Sequence, residues 1–332
     1  MLRHSSHPWQ RLAASALLGL SALLPAASVL AQAWPTKQPI KLVAVFPPGG
    51  SVDQVARILA PVLQQQLGQA VVVDNKGGAS GSIGTAAVAA APPDGYTFAV
   101  VFDTHGVNPS LQASLPFDTR KDLAAVALIG KGAMVLTTFA DSPYKSFADV
   151  VKTAKGGSAK SIGYGSIGSG SLGHLAITLM AQGGGLALDH VPYRGGGPLM
   201  NDAIAGHVPL AIGSVFLSKP HIDSKRLRAL AVTTSRRSAN LPEVPTIAEN
   251  GYAGFDAPAW WAVLAPAKTP PEIVKRMNEE INKALQQGEV AQKLAAQGIE
   301  VAADTTAAAQ AFIEGQIETW AKVVKASGIK TD

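Results

Sequence analysis

The chain has 332 residues, 47% of them hydrophobic and 15% charged, enough for a large core in one big domain or two ordinary ones and unlike a disordered tail. It contains no cysteine, which removes disulfide frameworks and thiolate metal sites. Its formal charge of +5 is scattered, with no basic block interleaved with aromatics, so nucleic acid is not an expected partner.

Residues 1–33 read as a secretory signal peptide. Arg3 and Arg11 flank a start without acidic residues, and an apolar stretch interrupted by Pro25 follows. Ala31-Gln32-Ala33 then supplies a small-x-small cleavage pattern. A retained membrane anchor is the alternative, which Pro25 and the cleavage pattern disfavour. The rest of the chain has no other apolar run of membrane-spanning length and is expected to be a soluble exported protein.

The next elements alternate. An apolar strand is expected over 40–46, then the loop Pro48-Gly49-Gly50-Ser51, then a helix toward Leu67 stopped by Gly68. Pro61 should kink or split that helix. A strand over 70–74, a Gly/Ser-rich loop over 75–82, an alanine-rich helix to Ala91, a Pro-Pro-Asp-Gly turn and a strand over 96–102 complete the unit. This order argues for a parallel sheet covered on both faces. A second unit has strands expected over 133–139, 161–164, 190–193, 208–213 and 227–233. Helices are expected between them over 146–154, 172–182 and 198–205. A Pro-rich connection over 235–258 leads to helices over 271–287, 290–297 and 305–325. Two such units suggest two lobes, 34–129 with 258–332 and 130–257, with a ligand cleft where strands end.

The loop at Pro48 has little side chain. A helix N-terminus carries free N–H groups and a partial positive charge, and glycines let the backbone approach an anion. Ser51 is expected to cap the helix with Gln54 at capping-box spacing, and Asp53 suits the first turn. The same device recurs at 77–82, which includes Ser80, at 166–171, and at Gly195-Gly196-Gly197. Four such junctions could surround a small anion with neutral donors, each bond to a carboxylate being charge-assisted. His105 follows the strand ending near Phe102 and could donate to an anion, or bond to backbone. Arg194, before the triple glycine, could pair with a second carboxylate or remain a solvated rim charge. Ser214, Phe216 and Ser218 could line the cleft floor or a hinge. Trp260-Trp261 reads as core and lobe packing.

Two enzyme readings compete. Gly163-Tyr164-Gly165-Ser166-Ile167-Gly168 fits G-x-G-x-x-G with Asp189 downstream, but the strand is short and polar, the loop runs on, and Asp189 precedes its strand rather than ending it. For a secreted hydrolase, serines and His105, His174 and His190 are available, but no G-x-S-x-G elbow occurs. His174 is expected to pack or to make a local polar contact. No H-e-x-x-H metal spacing occurs, and neither a metal nor a cofactor is expected.

In this order, the segments FPPGGSVDQVAR, VVVDNKGGASGSIGTAAVAAAPPDGYTF, HGVNPSLQASLPFDTRKDLAAVALIG, YGSIGSGSLGHLA, HVPYRGGGP, LRALAVTTSRRSANLPEVPTIAENG and APAWWAVLAP resemble the periplasmic substrate-binding proteins of tripartite tricarboxylate transporters, often called Bug proteins. The resemblance covers essentially the whole chain after residue 33. It implies an α/β, two-lobed type II periplasmic binding protein fold that closes by hinge motion on a small mono- or dicarboxylic acid without catalysis. It implies Pro48, Gly49, Gly50, Ser51 and Asp53, with Ser166, Gly168, Ser169, Gly170 and Ser171, as ligand contacts, ordered waters holding one carboxylate. His105, Arg194 and Ser214 extend that set. Phe46 stands where tyrosine is commoner, Arg194 where lysine is commoner, and Lys76-Gly77 where Arg-Pro is frequent. The implied partner is a membrane permease of that type or a sensor protein, and the implied receptor is a monomer.

Overall fold

The computed structural model describes residues 34–112, 114–155 and 161–327. The expected signal peptide lies outside them. The first three strands, β1 (Ile40–Ala44), β2 (Val71–Asn75) and β3 (Thr97–Phe102), are short apolar runs rich in Val, and they pair in parallel with β1 in the middle. Between them stand α1 (Ser51–Leu67) and α2 (Ser82–Ala89), as the alternation required.

The rest of this sheet is antiparallel. The long β4 (Leu123–Gly132) and the wholly buried β10 (Ala259–Pro266) complete it with β11 (Ile299–Val301), in the order β11-β4-β10-β3-β1-β2. The second sheet holds β5 (Met134–Phe139), β6 (Ile162–Ser166), β7 (Leu188–Pro192), β8 (Leu210–Ser214) and β9 (Leu227–Val232), in the order β7-β6-β8-β5-β9. Here β6 runs parallel to β7 and β8, while β5 runs antiparallel to β8 and β9. The remaining helices are α3 (Thr104–Leu111), α4 (Phe147–Lys155), α5 (Leu172–Gly184), α6 (Gly196–Ala205), α7 (Val215–Asp223), α8 (Pro271–Gln286), α9 (Gly288–Ala295) and α10 (Thr306–Ser327).

Two segments carry the chain between the sheets. Ala133 alone separates β4 from β5, and residues 233–258 return the chain to β10. They are tied together. Thr233 N–H donates to Met134 O at 3.0 Å, its hydroxyl to Ala257 O at 2.7 Å, and Ala257 N–H to Thr233 O at 2.9 Å. With the Thr233 side chain buried, these bonds exchange little with water and define a compact crossover.

Three local expectations are corrected. Helix α1 runs through Pro61 unbroken, because Pro61 lies on the exposed face, where the carbonyl it leaves unpaired meets solvent. Ser51 is not the cap: Gly50 takes that position, and Asp53 reaches back to accept from Gly49 N–H at 2.9 Å. Gln54 donates to Gly49 O at 3.1 Å rather than completing a Ser51 capping box. Asp189 lies inside β7, where the Ser161 hydroxyl donates to it, so it still does not end a strand. Among the described residues, no helix is long and apolar enough to cross a membrane.

Candidate functional site

Three helix N-termini converge between the two sheets. Gly50 caps α1, Gly195 caps α6, and Ser214 caps α7, its hydroxyl accepting from Leu217 N–H at 3.3 Å. Glycine is needed where they meet. A Cβ on Gly196 would fall 3.5 Å from Gly50 Cα and 2.5 Å from Leu217 Cδ2. Gly195 has φ +116° and would place a Cβ 2.9 Å from Pro47 Cδ. The sequence Pro47-Pro48-Gly49-Gly50 on one side and Gly195-Gly196-Gly197 on the other thus lets two backbones touch.

A small inner space lies at this junction, lined by Phe46, Gly50, Ser51, Gly196, Ser214 and Leu217 among others. Its volume of about 10 Å³ is about that of one water site. Ser51 is buried beside it, and its hydroxyl accepts from Trp261 Nε1–H at 3.3 Å. Trp261 in turn packs on Phe102, with centroids 5.0 Å apart, and on Phe216 of α7, at 6.1 Å. The paired tryptophans therefore serve packing, as the sequence suggested, and Trp261 also positions Ser51.

Beyond Phe46 and Ile167, which line both spaces, an outer chamber of about 900 Å³ opens. Pro47, Ser80, Ile83, Gly168, Ser169, Tyr193 and Arg194 contribute to its walls. Ser80 donates to Ser169 O at 2.6 Å, joining the loop after β2 to the loop after β6. Ala79 and Ser80 hold left-handed backbone, φ +46° and +52°. Two side chains of the α3 region stabilise that bend: Asn108 donates to Ser80 O at 3.1 Å and Gln112 to Ala79 O at 3.0 Å.

The structure brings Phe46, Gly50, Ser51, Ser80, Gly168, Ser169, Arg194 and Ser214 to these two spaces, which share Phe46 and Ile167 in their linings. It does not do so for the others. Pro48 and Gly49 are exposed on the rim. Asp53 is occupied by Gly49 N–H and by Arg57 Nε–H, both at 2.9 Å; burial opposes its ionisation, but these partners outweigh it and hold its pKa below the usual carboxylate range. Its geometry is that of a residue that positions the loop. Ser166 and Ser171 are wholly buried, and Gly170 N–H donates to His174 Nδ1 at 3.0 Å. Ser171 caps α5 by accepting from His174 N–H at 3.3 Å. His105 is not in a loop: it lies within α3, buried, and desolvation lowers its pKa to about 4, so it is a neutral imidazole at pH 7.

One pair has the look of a nucleophile and base. Ser166 Oγ is 2.7 Å from His190 Nε2, and His190 stacks on His174 with centroids 3.8 Å apart. The Ser166 hydroxyl is fully buried and also bonded to Gly168 and Ser171, so no substrate reaches it. The cluster folds the loop over 166–171. Burial first, and the neighbouring ring second, lower the His190 pKa to about 3 and keep it neutral.

Sequence reasoning passed over Pro47, Ile83, Gln112 and Tyr193. Pro47, Ile83 and Tyr193 lie beside the glycine-rich junctions, which was their one signal, whereas Gln112, just after α3, had none; as apolar or neutral residues they carry no chemical signature of their own. Among the described residues, no cluster of metal-ligating side chains occurs.

The chain matches the model of the "Tripartite tricarboxylate transporter family receptor" over residues 55–329. It is 39% identical over 307 residues to Protein BugT of Bordetella pertussis, covering 92% of this chain and 94% of that one. The solved structure of the periplasmic binding protein BugD superposes with TM-score 0.85 at 31% identity, over 89% of this chain and 99% of that one. The structure of R. palustris Rpa4515 with adipate gives TM-score 0.85 at 34% identity, over 90% and 99%.

Proposed function

We propose, from the premise that this chain belongs to the tripartite tricarboxylate transporter receptor family, that it captures one small carboxylate between two lobes and delivers it unchanged. The family is one of periplasmic binding proteins, not enzymes, and the hydrolase and dinucleotide readings fall with that. The relative named above holds adipate, which supports an acid as ligand here.

The observation that carries the reading is the meeting of the α1, α6 and α7 N-termini at one floor. Their free N–H groups and partial positive charges favour an anion there. One ligand carboxylate takes Gly50, Ser51 and Ser214, and the chain of the ligand extends past Phe46 toward Ser80, Gly168 and Ser169. Lobe one comprises 34–129 and 258–332, and lobe two 130–257. The crossovers at Ala133 and Thr233 act as the hinge, and contacts such as Ser80 to Ser169 form on closure. The signal peptide is removed on export, and the monomeric closed receptor docks on its permease or on a sensor protein.

A thermal-shift screen over mono-, di- and tricarboxylates, amino acids, sugars and nucleotides tests this. A ligand at 100 times its Kd stabilises by about 2.7 kcal/mol, easily seen as a shift in Tm. The expected result is a shift with one class of carboxylate, recovered intact by mass spectrometry. Turnover of that compound, or shifts confined to uncharged ligands, would overturn the proposal.

A further inference from the structure

We infer that Asp103 is a proton-dependent latch at the base of the cleft: the closed receptor holds its carboxyl protonated, so capture of a ligand takes up a proton and tightens as pH falls. This rests on the two-lobe closure proposed above and adds to it what the seam itself demands.

The carboxyl is enclosed by both halves of the molecule. Asp103 follows β3 of the first sheet and precedes α3; its main-chain O accepts from Gly106 N–H at 3.0 Å, but its side chain does not cap the helix. Against it from the other half stands the N–H of Leu172, the first residue of α5. The residue is wholly buried, and neither carboxyl oxygen has a well-formed hydrogen bond. This seam is continuous with the inner floor. Phe102, the residue before Asp103, and Ile167, on the loop that leads into α5, both line that space. A carboxylate enclosed with neither a cation nor full hydrogen bonds is costly, and the neutral acid is the form such a place accommodates. Parting the lobes withdraws Leu172 and admits water, which relieves the ionised form. The proton is thus bound on closing and released on opening.

The elements around Asp103 leave this proton to it. On α3, His105 is buried; on α5, His174 accepts from Gly170 N–H through Nδ1 and stacks on His190 of β7. Burial keeps all three imidazoles neutral at pH 7. In its own sheet β3 is flanked at this end by Val45 and Phe46 after β1 and by Trp261 of β10, none of them ionisable. Helix α10 meets α3 where Gln316 faces Gly106, and carries Glu314, bonded to Gln310, and the exposed Glu318. What acts on the Asp103 carboxyl is burial, which raises its pKa, opposed by the Thr104 and Leu172 N–H groups. The sign of the coupling follows. Between the ordinary carboxylate value, about 3.9, and the raised value of the closed state, affinity falls as pH rises, by up to about tenfold per pH unit.

Calorimetry on the mature protein with adipate, malate and benzoate tests the inference, each titrated at pH 6, 7 and 8 in buffers of high and of low ionisation heat. With an acid that binds, the wild type should take up a proton and lose up to about tenfold in affinity per pH unit. Asp103→Asn keeps the shape of the neutral acid; it should lack that proton uptake and hold its affinity as pH rises. Asp103→Ala, which likewise has no proton to gain, should behave as Asp103→Asn does. A proton taken up by the acid itself or by another side chain would appear in all three proteins. Equal proton uptake and parallel affinity profiles in the wild type and the variants would overturn the latch and leave a carboxylate receptor in place. Absence of heat with all three acids would count against the carboxylate reading instead. Small-angle scattering of the unliganded proteins then decides the latch: the wild type should open as pH rises from 5 to 8 and Asp103→Asn should not, and identical profiles would overturn it.

Discussion

Asp103 supplies the sharpest physical test of how the two halves fit. It follows β3, its carboxyl is wholly buried, and neither oxygen has a well-formed hydrogen bond. Desolvation raises its pKa well above the usual carboxylate range; the N–H groups of Thr104 and of Leu172, at the start of α5, oppose this only in part. Leu172 belongs to the helix after β6, so elements of both sheets enclose the group. The titratable side chains near these two N–H groups in the chain are His105 and His174, both with pKa lowered by burial and neutral at pH 7. The sign follows from linkage. The folded protein binds a proton that the unfolded chain releases above about pH 3.9, so this contribution is fully present below that pH and is lost as pH rises through the raised folded pKa. Each pH unit inside that window changes stability by up to about 1.4 kcal/mol. Asp103→Asn keeps the shape of the protonated acid and removes the titration. Urea unfolding of both proteins at pH 5, 6, 7 and 8 should show the variant gaining on the wild type as pH rises. The comparison cancels the histidines, whose lowered pKa values act in the opposite direction in both proteins. Parallel stability curves would refute the assignment of a costly buried acid between the halves.

Ser51→Tyr should abolish carboxylate binding in calorimetry, since the ring would fill the inner floor, and unchanged affinity would count against the proposed seat. Ser80→Ala removes the 2.6 Å bond to Ser169 O, and should weaken ligand affinity by roughly two- to tenfold while leaving unliganded unfolding nearly unchanged. Gly84→Ala places a Cβ 2.5 Å from Lys76 O and 3.0 Å from Val45 Cα, both backbone atoms; a loss of about 1–3 kcal/mol in urea unfolding is expected. Asn278→Ala strands the carbonyl of Val126, which its amide reaches at 2.8 Å, and leaves Asp304 O with Asn282 Nδ2–H as donor at 2.9 Å; it should cost about 1–3 kcal/mol by the same assay.

Much of this was legible in the sequence where local rules govern. The β2-β1-β3 parallel core follows from apolar strands alternating with helices, and the N-termini that meet at the cleft were marked by Gly49-Gly50 and Gly195-Gly196-Gly197. The antiparallel half of the first sheet was not. Leu123–Gly132 and Ala259–Pro266 are far apart in sequence, and only their mutual pairing makes them neighbours. The apolar run around Trp260-Trp261 is as consistent with a core loop as with a strand until that partner is known. Capping was misassigned for a related reason. Ser51 has the right residue type, but Asp53 two residues on reaches Gly49 N–H better, and Trp261, some two hundred residues away, claims the Ser51 hydroxyl. His105 shows the limit of reading a histidine near a strand end as a donor. Its burial is set by α3 packing, which no local pattern announces.

The most direct measurement is a crystal structure of the protein with its tightest carboxylate bound. One carboxylate of the ligand should lie against the Gly50 and Ser51 N–H groups and the Ser214 hydroxyl, with its chain between Phe46 and Ile167. An acid seated elsewhere, with Gly50 still packed on Gly196, would contradict the account.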